Sequence, residues 1–407
     1  MKKTISNNNK TSYLKQVLNL CLLASFALVQ YACVQEGLPS NAKAELVDVD
    51  LSVSLGITSD QDITNEQTNP GTTKERNIGI RRIYAFKANG SLDKMEIKTP
   101  EPYDYFPLDK DKMEMEMTVQ SGPKRFVVIA NESKATDVKT KLNQITSITE
   151  LYKVLYKNEH FEFNSTTEPD KNGNLLPLSA VSEPVYIKRK EELVDNQKQA
   201  IGVRIGRSVA KLELELKKAT DNDYEVKLTD LSIVRTPKQS YVLPDNKGQS
   251  KILADGEIRI ISDKNIELLS TGEGKKINPG YVWEYTPQSN KADQATAFKL
   301  VFSIKDQQSS LPQIYTSYIP IFYRDTKTGN VPQYSIRRNT YYNLKVKVKN
   351  SSLEIKYKVL DWNDEEQYDK IPGEDDSGVD VGDWDEQDPD PDTPENEKDF
   401  TFEVELQ

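Results

Sequence analysis

Short runs in which apolar and polar residues alternate recur through most of this chain, and they constrain it to a β-rich fold. The first, Ala44 to Ile57 (AELVDVDLSVSLGI), sets Leu46, Val49, Leu51, Val53 and Leu55 among polar neighbours. Successive side chains of a strand point to opposite faces, so such a run offers one face to a core and the other to water. Ile78 to Ala88 (IGIRRIYAFKA) is a second run, and Asn89-Gly90 closes it with the chemistry of a tight turn. Further strand runs are Met113 to Val119, Phe126 to Ala130, Pro184 to Arg189, Ile201 to Ile205, Val209 to Leu216 and Leu228 to Val234. They continue at Ala297 to Ile304, Ile314 to Phe322, Tyr341 to Val348 and Leu353 to Trp362. One stretch is helical in spacing instead. Val138, Leu142, Ile145, Ile148, Leu151 and Leu155 predict one amphipathic helix or two short ones between Asp137 and Tyr156. Many short strands with turns between them argue for β-sandwiches.

The two ends of the chain differ from its body. Lys2, Lys3, Lys10 and Lys15 precede an apolar run, Val17 to Val29, which leads into Gln30-Tyr31-Ala32-Cys33. A basic start, a short apolar centre and a small residue before the cut are the parts of a secretory signal. The run is shorter than the roughly 20 residues that a membrane span needs. Of two cysteines, Cys21 lies inside this signal and Cys33 directly after it, where a bacterial lipoprotein signal is cut and acylated. The plainer alternative is an ordinary secretory signal cut near Ala32. Either way one cysteine cannot form an intramolecular disulfide framework.

Asp364 to Gln407 carries 19 acidic residues and two lysines, and the remainder of the chain's 64 acidic and 54 basic residues leaves a body with a small basic excess. From Asn363 to Asp399 the chain is too polar to bury a core, yet Phe400 to Gln407 (FTFEVELQ) alternates again. An exposed, polar loop is expected at Thr58 to Glu75, and a charged, Gln-rich boundary at Lys190 to Ala200.

Chemistry finds little support. His160, the single histidine, sits in KNEHFEF without a nucleophile elbow or Gly-rich loop nearby and reads as a surface or strand-end residue. The several His and Cys ligands of a zinc or iron site are missing, as are phosphate-loop and dinucleotide patterns. Asp388-Pro-Asp-Pro-Asp392 has alternating carboxylates, but Thr393 stands where an EF-hand loop needs glycine. Tyr103, Tyr105, Tyr281, Trp283, Tyr285, Tyr341 and Tyr342 read as packing residues before they read as a carbohydrate platform. The mild, unclustered basic charge gives no footprint for nucleic acid. The expectation is a non-enzymatic protein without cofactor or metal.

Several segments together resemble the fimbrillin family, the lipoprotein-derived subunits of type V pili. They are Val49 to Leu55, Arg82 to Gly90 (RIYAFKANG), Arg125 to Asn131 (RFVVIAN) with Thr146 to Leu155, and Leu176 to Ser179 (LPLS). Arg207 to Leu212 (RSVAKL), Arg338-Asn339 with Tyr341 and Tyr342, and Leu353 to Trp362 (LEIKYKVLDW) follow in order. The resemblance implies two tandem transthyretin-like β-sandwich domains with a few short helices, behind a lipoprotein signal and ahead of the acidic tail. The division would be signal 1–32; tether, first strand and pro-segment 33–76; sandwiches 77–200 and 201–363; acidic linker 364–399; donor strand 400–407.

It also implies a structural and adhesive fimbrial subunit, carried to the outer membrane by lipid on Cys33. A basic-specific protease would cut after Arg76, with Lys74, Arg81 and Arg82 as competing residues. The groove left by the first strand would take Phe400, Phe402, Val404 and Leu406 of another subunit by β-strand addition. Its partners would be other fimbrial subunits and, beyond them, host or bacterial surface receptors. Shaft or accessory, anchor and tip positions stay open in that order, beside a monomeric surface lipoprotein that binds glycan or host ligand.

Overall fold

The computed structural model describes residues 44–55, 75, 77–79, 81–98, 106–107, 113–132, 135–161, 175–193, 197–219, 224–244, 253–306, 311–325, 331–349, 352–361 and 400–405. The expected signal, Cys33, Lys74, Arg76, the acidic linker and Leu406 lie outside them. The first half holds β1 (Leu46–Leu55), β2 (Arg81–Lys87), β3 (Leu92–Lys98), β4 (Met113–Gln120), β5 (Gly122–Ala130), β6 (Leu178–Val181), β7 (Val185–Ile187) and β8 (Gln199–Arg207). The second holds β9 (Val209–Lys218), β10 (Glu225–Thr236), β11 (Gly256–Ile261), β12 (Lys275–Trp283), β13 (Ala297–Lys305), β14 (Gln313–Pro320), β15 (Thr340–Val348), β16 (Ser352–Asp361) and β17 (Phe400–Glu405). The helical stretch forms two short helices, α1 (Thr136–Asn143) and α2 (Ile148–Leu151). The chain is mainly β, as its alternation implies.

β1 to β8 make one eight-stranded sheet in the order β3-β2-β5-β6-β8-β1-β4, with β7 beside β5. The sheet curls around one core, so its end strands approach: the Gln120 amide at the close of β4 donates to Asp93 Oδ2 of β3 at 2.9 Å. Inside lie Val47, Val49, Leu51 and Val53 with Ile83, Met117, Phe126, Val128, Leu178, Val203 and Ile205. β8 runs in this sheet although the boundary read from sequence ended at residue 200; the chain crosses to the next sheets at Ser208, between β8 and β9.

The second half is a sandwich. One layer is β12-β9-β15-β16-β17 and the other is β11-β10-β13-β14, with Ile266–Glu267 beside β10. Alternate residues of both layers fill the core between them, among them Leu212, Leu214, Leu231, Phe298, Phe302, Tyr342, Leu344 and Ile355.

A third cluster joins the halves. The run FVVIA is apolar on both faces because both are covered: Phe126 and Val128 face the curled core, while Val127 and Ile129 face α1 and α2. That outer layer continues into Val209, Tyr281, Trp283 and Tyr341 of the second half. Leu155–Lys157 also pairs with Gln239–Tyr241 in a small ladder between the halves.

Candidate functional site

β1 is separated in sequence from every strand it touches. It runs parallel to β8, Val49 opposite Gln199 through Leu55 opposite Ile205. On its other side it runs antiparallel to β4, Leu46 opposite Gln120 through Val53 opposite Met113. Val47, Val49, Leu51 and Val53 are each 1% exposed or less, whereas Leu46 is 60% exposed. The buried phase therefore begins at Val47. Burying an aliphatic side chain contributes about 1.5–3 kcal/mol, so four contribute roughly 6–12 kcal/mol. That rivals the roughly 5–15 kcal/mol that separates a folded domain from its unfolded chain. The sheet cannot lose β1 and remain as it is unless another strand takes the slot between β8 and β4.

The outward face of β1 is acidic and held by its neighbours. Thr118 Oγ1 donates to Asp48 Oδ1 at 2.6 Å. Lys198 pairs with Asp50 at 3.8 Å and with Glu116, which raises the Lys198 pKa through its hydrogen bond to Glu116.

Glu75 corrects the reading of Thr58 to Glu75 as an exposed loop: it is 1% exposed. Its carboxylate stands 3.1 Å from Lys211 Nζ and accepts from Tyr281 Oη at 2.7 Å. Its carbonyl accepts from Arg207 Nε at 3.0 Å. Burial, then the charge of Glu75, pushes the Tyr281 hydroxyl well above the usual tyrosine range. Asn77–Ile78 follows and pairs with Phe106–Pro107.

Arg81 and Arg82, two of the basic residues competing with Arg76, lie in β2 with 6% and 1% exposure. Arg82 grips Glu132 through Nε at 2.7 Å and Nη2 at 3.0 Å, and Nη1 donates to Asn143 at 2.7 Å. Both are thus buried in a strand paired on either side, and Arg82 is held by its side chain as well.

The polar residues of the other quoted segments meet in the joint as well. Asn339 Oδ1 accepts from the Arg207 amide at 3.1 Å. Arg338 binds Glu284 through Nη2 at 2.7 Å and donates to Ser179 Oγ and to the carbonyls of Tyr241 and Leu243. These residues hold the two halves together. Only their chain order was visible in the sequence.

At the other end, β17 lies antiparallel on β16. Phe400 stands opposite Tyr357, Phe402 opposite Ile355 and Val404 opposite Leu353, three residues buried in the sandwich core. The alternating segment that sequence left without a sheet thus has an edge to pair with in its own chain. His160 ends a short turn after Leu155–Lys157; its Nδ1 accepts from the Lys157 amide at 3.2 Å, and Nε2 lies 3.8 Å from Asp137. Among the described residues no group of three or more His, Cys, Asp or Glu is arranged to hold a metal ion.

Fold and site together describe a tandem β-sheet protein in which, among the described strands, the first is inserted between β8 and β4 and the last adds to the sheet edge at β16, each across a long connection. A family model for the fimbrillin-A associated anchor proteins Mfa1 and Mfa2 matches residues 46–368, and the chain belongs to that family. It is 26% identical over 259 residues to the major fimbrium subunit FimC of Porphyromonas gingivalis, covering 60% of this chain and 49% of that one. It therefore spans about half the length of the curated relatives it matches. Among solved structures it is similar to the tip fimbrial protein Mfa3 of Porphyromonas gingivalis, with TM-score 0.50, 16% identity and coverage of 77% and 100%. A candidate cell adhesion protein of Parabacteroides distasonis gives TM-score 0.52, 14% identity and coverage of 79% and 98%. At these identities the likeness is one of fold.

Proposed function

We propose that the chain is a structural subunit of a surface fimbria, exported with lipid on Cys33 and assembled by strand exchange. Its connection between β1 and Asn77, where Lys74 and Arg76 lie, is cut. β1 leaves, and the C-terminal strand of the next subunit enters between β8 and β4. One observation carries this reading: β1 and the C-terminal strand share one pattern. Val47, Val49, Leu51 and Val53 alternate with Asp48, Asp50 and Ser52, as Phe400, Phe402, Val404 and Leu406 alternate with Thr401, Glu403 and Glu405. A strand of that kind satisfies both the bare hydrogen-bonding edges and the apolar trough that β1 would vacate. Thirty-eight residues separate Asp361 from Phe400, where a hairpin needs only about two to five. The excess leaves chain enough for the strand to reach a second subunit.

An anchor position, with lipid and β1 retained, is the second reading, favoured by the family's description as anchor proteins. The test is assembly in cells. Deleting Asp399 to Gln407 should leave monomers that still fold, and Lys74→Ala with Arg76→Ala should stop processing and polymer growth. Intact polymers from either variant remove the strand-exchange reading.

A further inference from the structure

Glu75 is fixed from three directions at the joint between the halves. Lys211 of β9, Tyr281 of β12 and Arg207 of β8 all reach it, at 3.1, 2.7 and 3.0 Å. Arg207 in turn donates through its amide and Nη1 to Asn339, just before β15, at 3.1 and 3.3 Å. The Glu75 side chain is 0% exposed and that of Lys211 8%. The chain is gripped again just beyond: Ile78 is fully buried, and the Gly79 amide donates to Asn131 Oδ1 at 2.6 Å.

Releasing β1 requires a cut, and its side relative to Glu75 decides what leaves. A cut after Glu75 puts that residue on the departing segment. Lys211 then loses a carboxylate, Tyr281 an acceptor and Arg207 a carbonyl, all inside the protein, where charged and polar groups need their partners. An entering strand refills the slot between β8 and β4, whereas the groups that hold Glu75 stand on Arg207, Lys211 and Tyr281 at the joint. A cut before Glu75 leaves the joint whole, so the slot alone has to be refilled.

Resting on the strand-exchange reading, we propose that Glu75 sets the boundary of the mature chain: the cut that frees β1 falls on its N-terminal side, and Glu75 stays in the joint. The sequence holds one basic residue between β1 and Glu75, Lys74, while Arg76 follows directly after. Cleavage at basic residues therefore gives mature ends only two residues apart, which sequencing resolves.

The experiment is N-terminal sequencing of the full-length protein recovered from the cell surface. A first residue from Gly56 to Glu75 is the expected result. A first residue at Arg76 or later overturns the inference and leaves strand exchange standing. A start at or before Leu55 overturns the strand-exchange reading, and the inference with it. A second measurement uses Glu75→Gln, which keeps the shape and removes the charge. The mature variant should melt at a lower temperature than the mature wild type. Identical melting would mean that Glu75 is gone from the mature chain and would overturn the inference.

Discussion

Asn131 and Asn339 both hold left-handed backbone, with φ of 54° and 52°, and both tie distant segments together. Asparagine tolerates that conformation better than other residues with a Cβ. Asn131 also accepts from the Gly79 amide and donates to the Leu176 carbonyl. Neither role was legible, because each depends on a partner dozens of residues away. The Asn89-Gly90 turn was legible because it is local: the Gly90 amide donates to the Lys87 carbonyl, and Gly90 has φ 80°. A Cβ on Gly90 would meet Ile148 Cγ2 at 3.3 Å. Gly90→Ala should therefore lower unfolding stability by about 1–2 kcal/mol, the cost of a left-handed residue with a Cβ. Denaturant titration measures it, and a change near zero would contradict the account. Glu75 was read as part of an exposed loop for the same reason that Asn131 was silent: its partners Arg207 and Tyr281 lie 132 and 206 residues on.

Whole elements were readable where burial is one-sided and the pairing regular. The runs at 201–205, 209–216, 297–304 and 341–348 fall within β8, β9, β13 and β15. β12 was missed because Asn278-Pro279-Gly280 looks like a turn. In the fold that tripeptide sits on an edge strand where the register with β9 slips between Leu212 and Leu214, the kind of place where proline is tolerated. β3 was missed because a slip opposite Ala85 and Phe86 breaks its alternation. β1 is the element on which the proposed assembly turns. Leu51 is fully buried at its centre, so Leu51→Ala should cost about 2–5 kcal/mol in the unprocessed chain. The same substitution should have no effect on the stability of a mature chain from which β1 has gone. Comparing the two forms by denaturant unfolding checks this, and an equal loss in both would mean that β1 is retained.

Across the whole molecule, the joint makes one structural unit of the two halves. Tyrosines are buried in the joint and in the core of the second half, and this has a consequence for pH. Burial raises the hydroxyl pKa of Tyr84, Tyr156, Tyr281, Tyr341, Tyr342 and Tyr357 above the ordinary 10.0. In the unfolded chain these groups ionise from about pH 10, while the folded chain keeps them protonated. Their contribution is therefore complete below pH 10 and is lost as pH rises beyond it. Unfolding midpoints measured from pH 8 to 11 should fall steeply at the alkaline end, and a flat profile would refute the argument. By itself the sequence determined the β class, most of the strands, the place of the helical stretch and the alternation of its first and last segments. All of these rest on local periodicity. Only the tertiary structure decided that β1 is parallel to β8 and antiparallel to β4, that β8 belongs to the first sheet, and that Glu75 is buried. Those facts depend on which distant segments meet, and neither hydrophobic period nor turn chemistry encodes that.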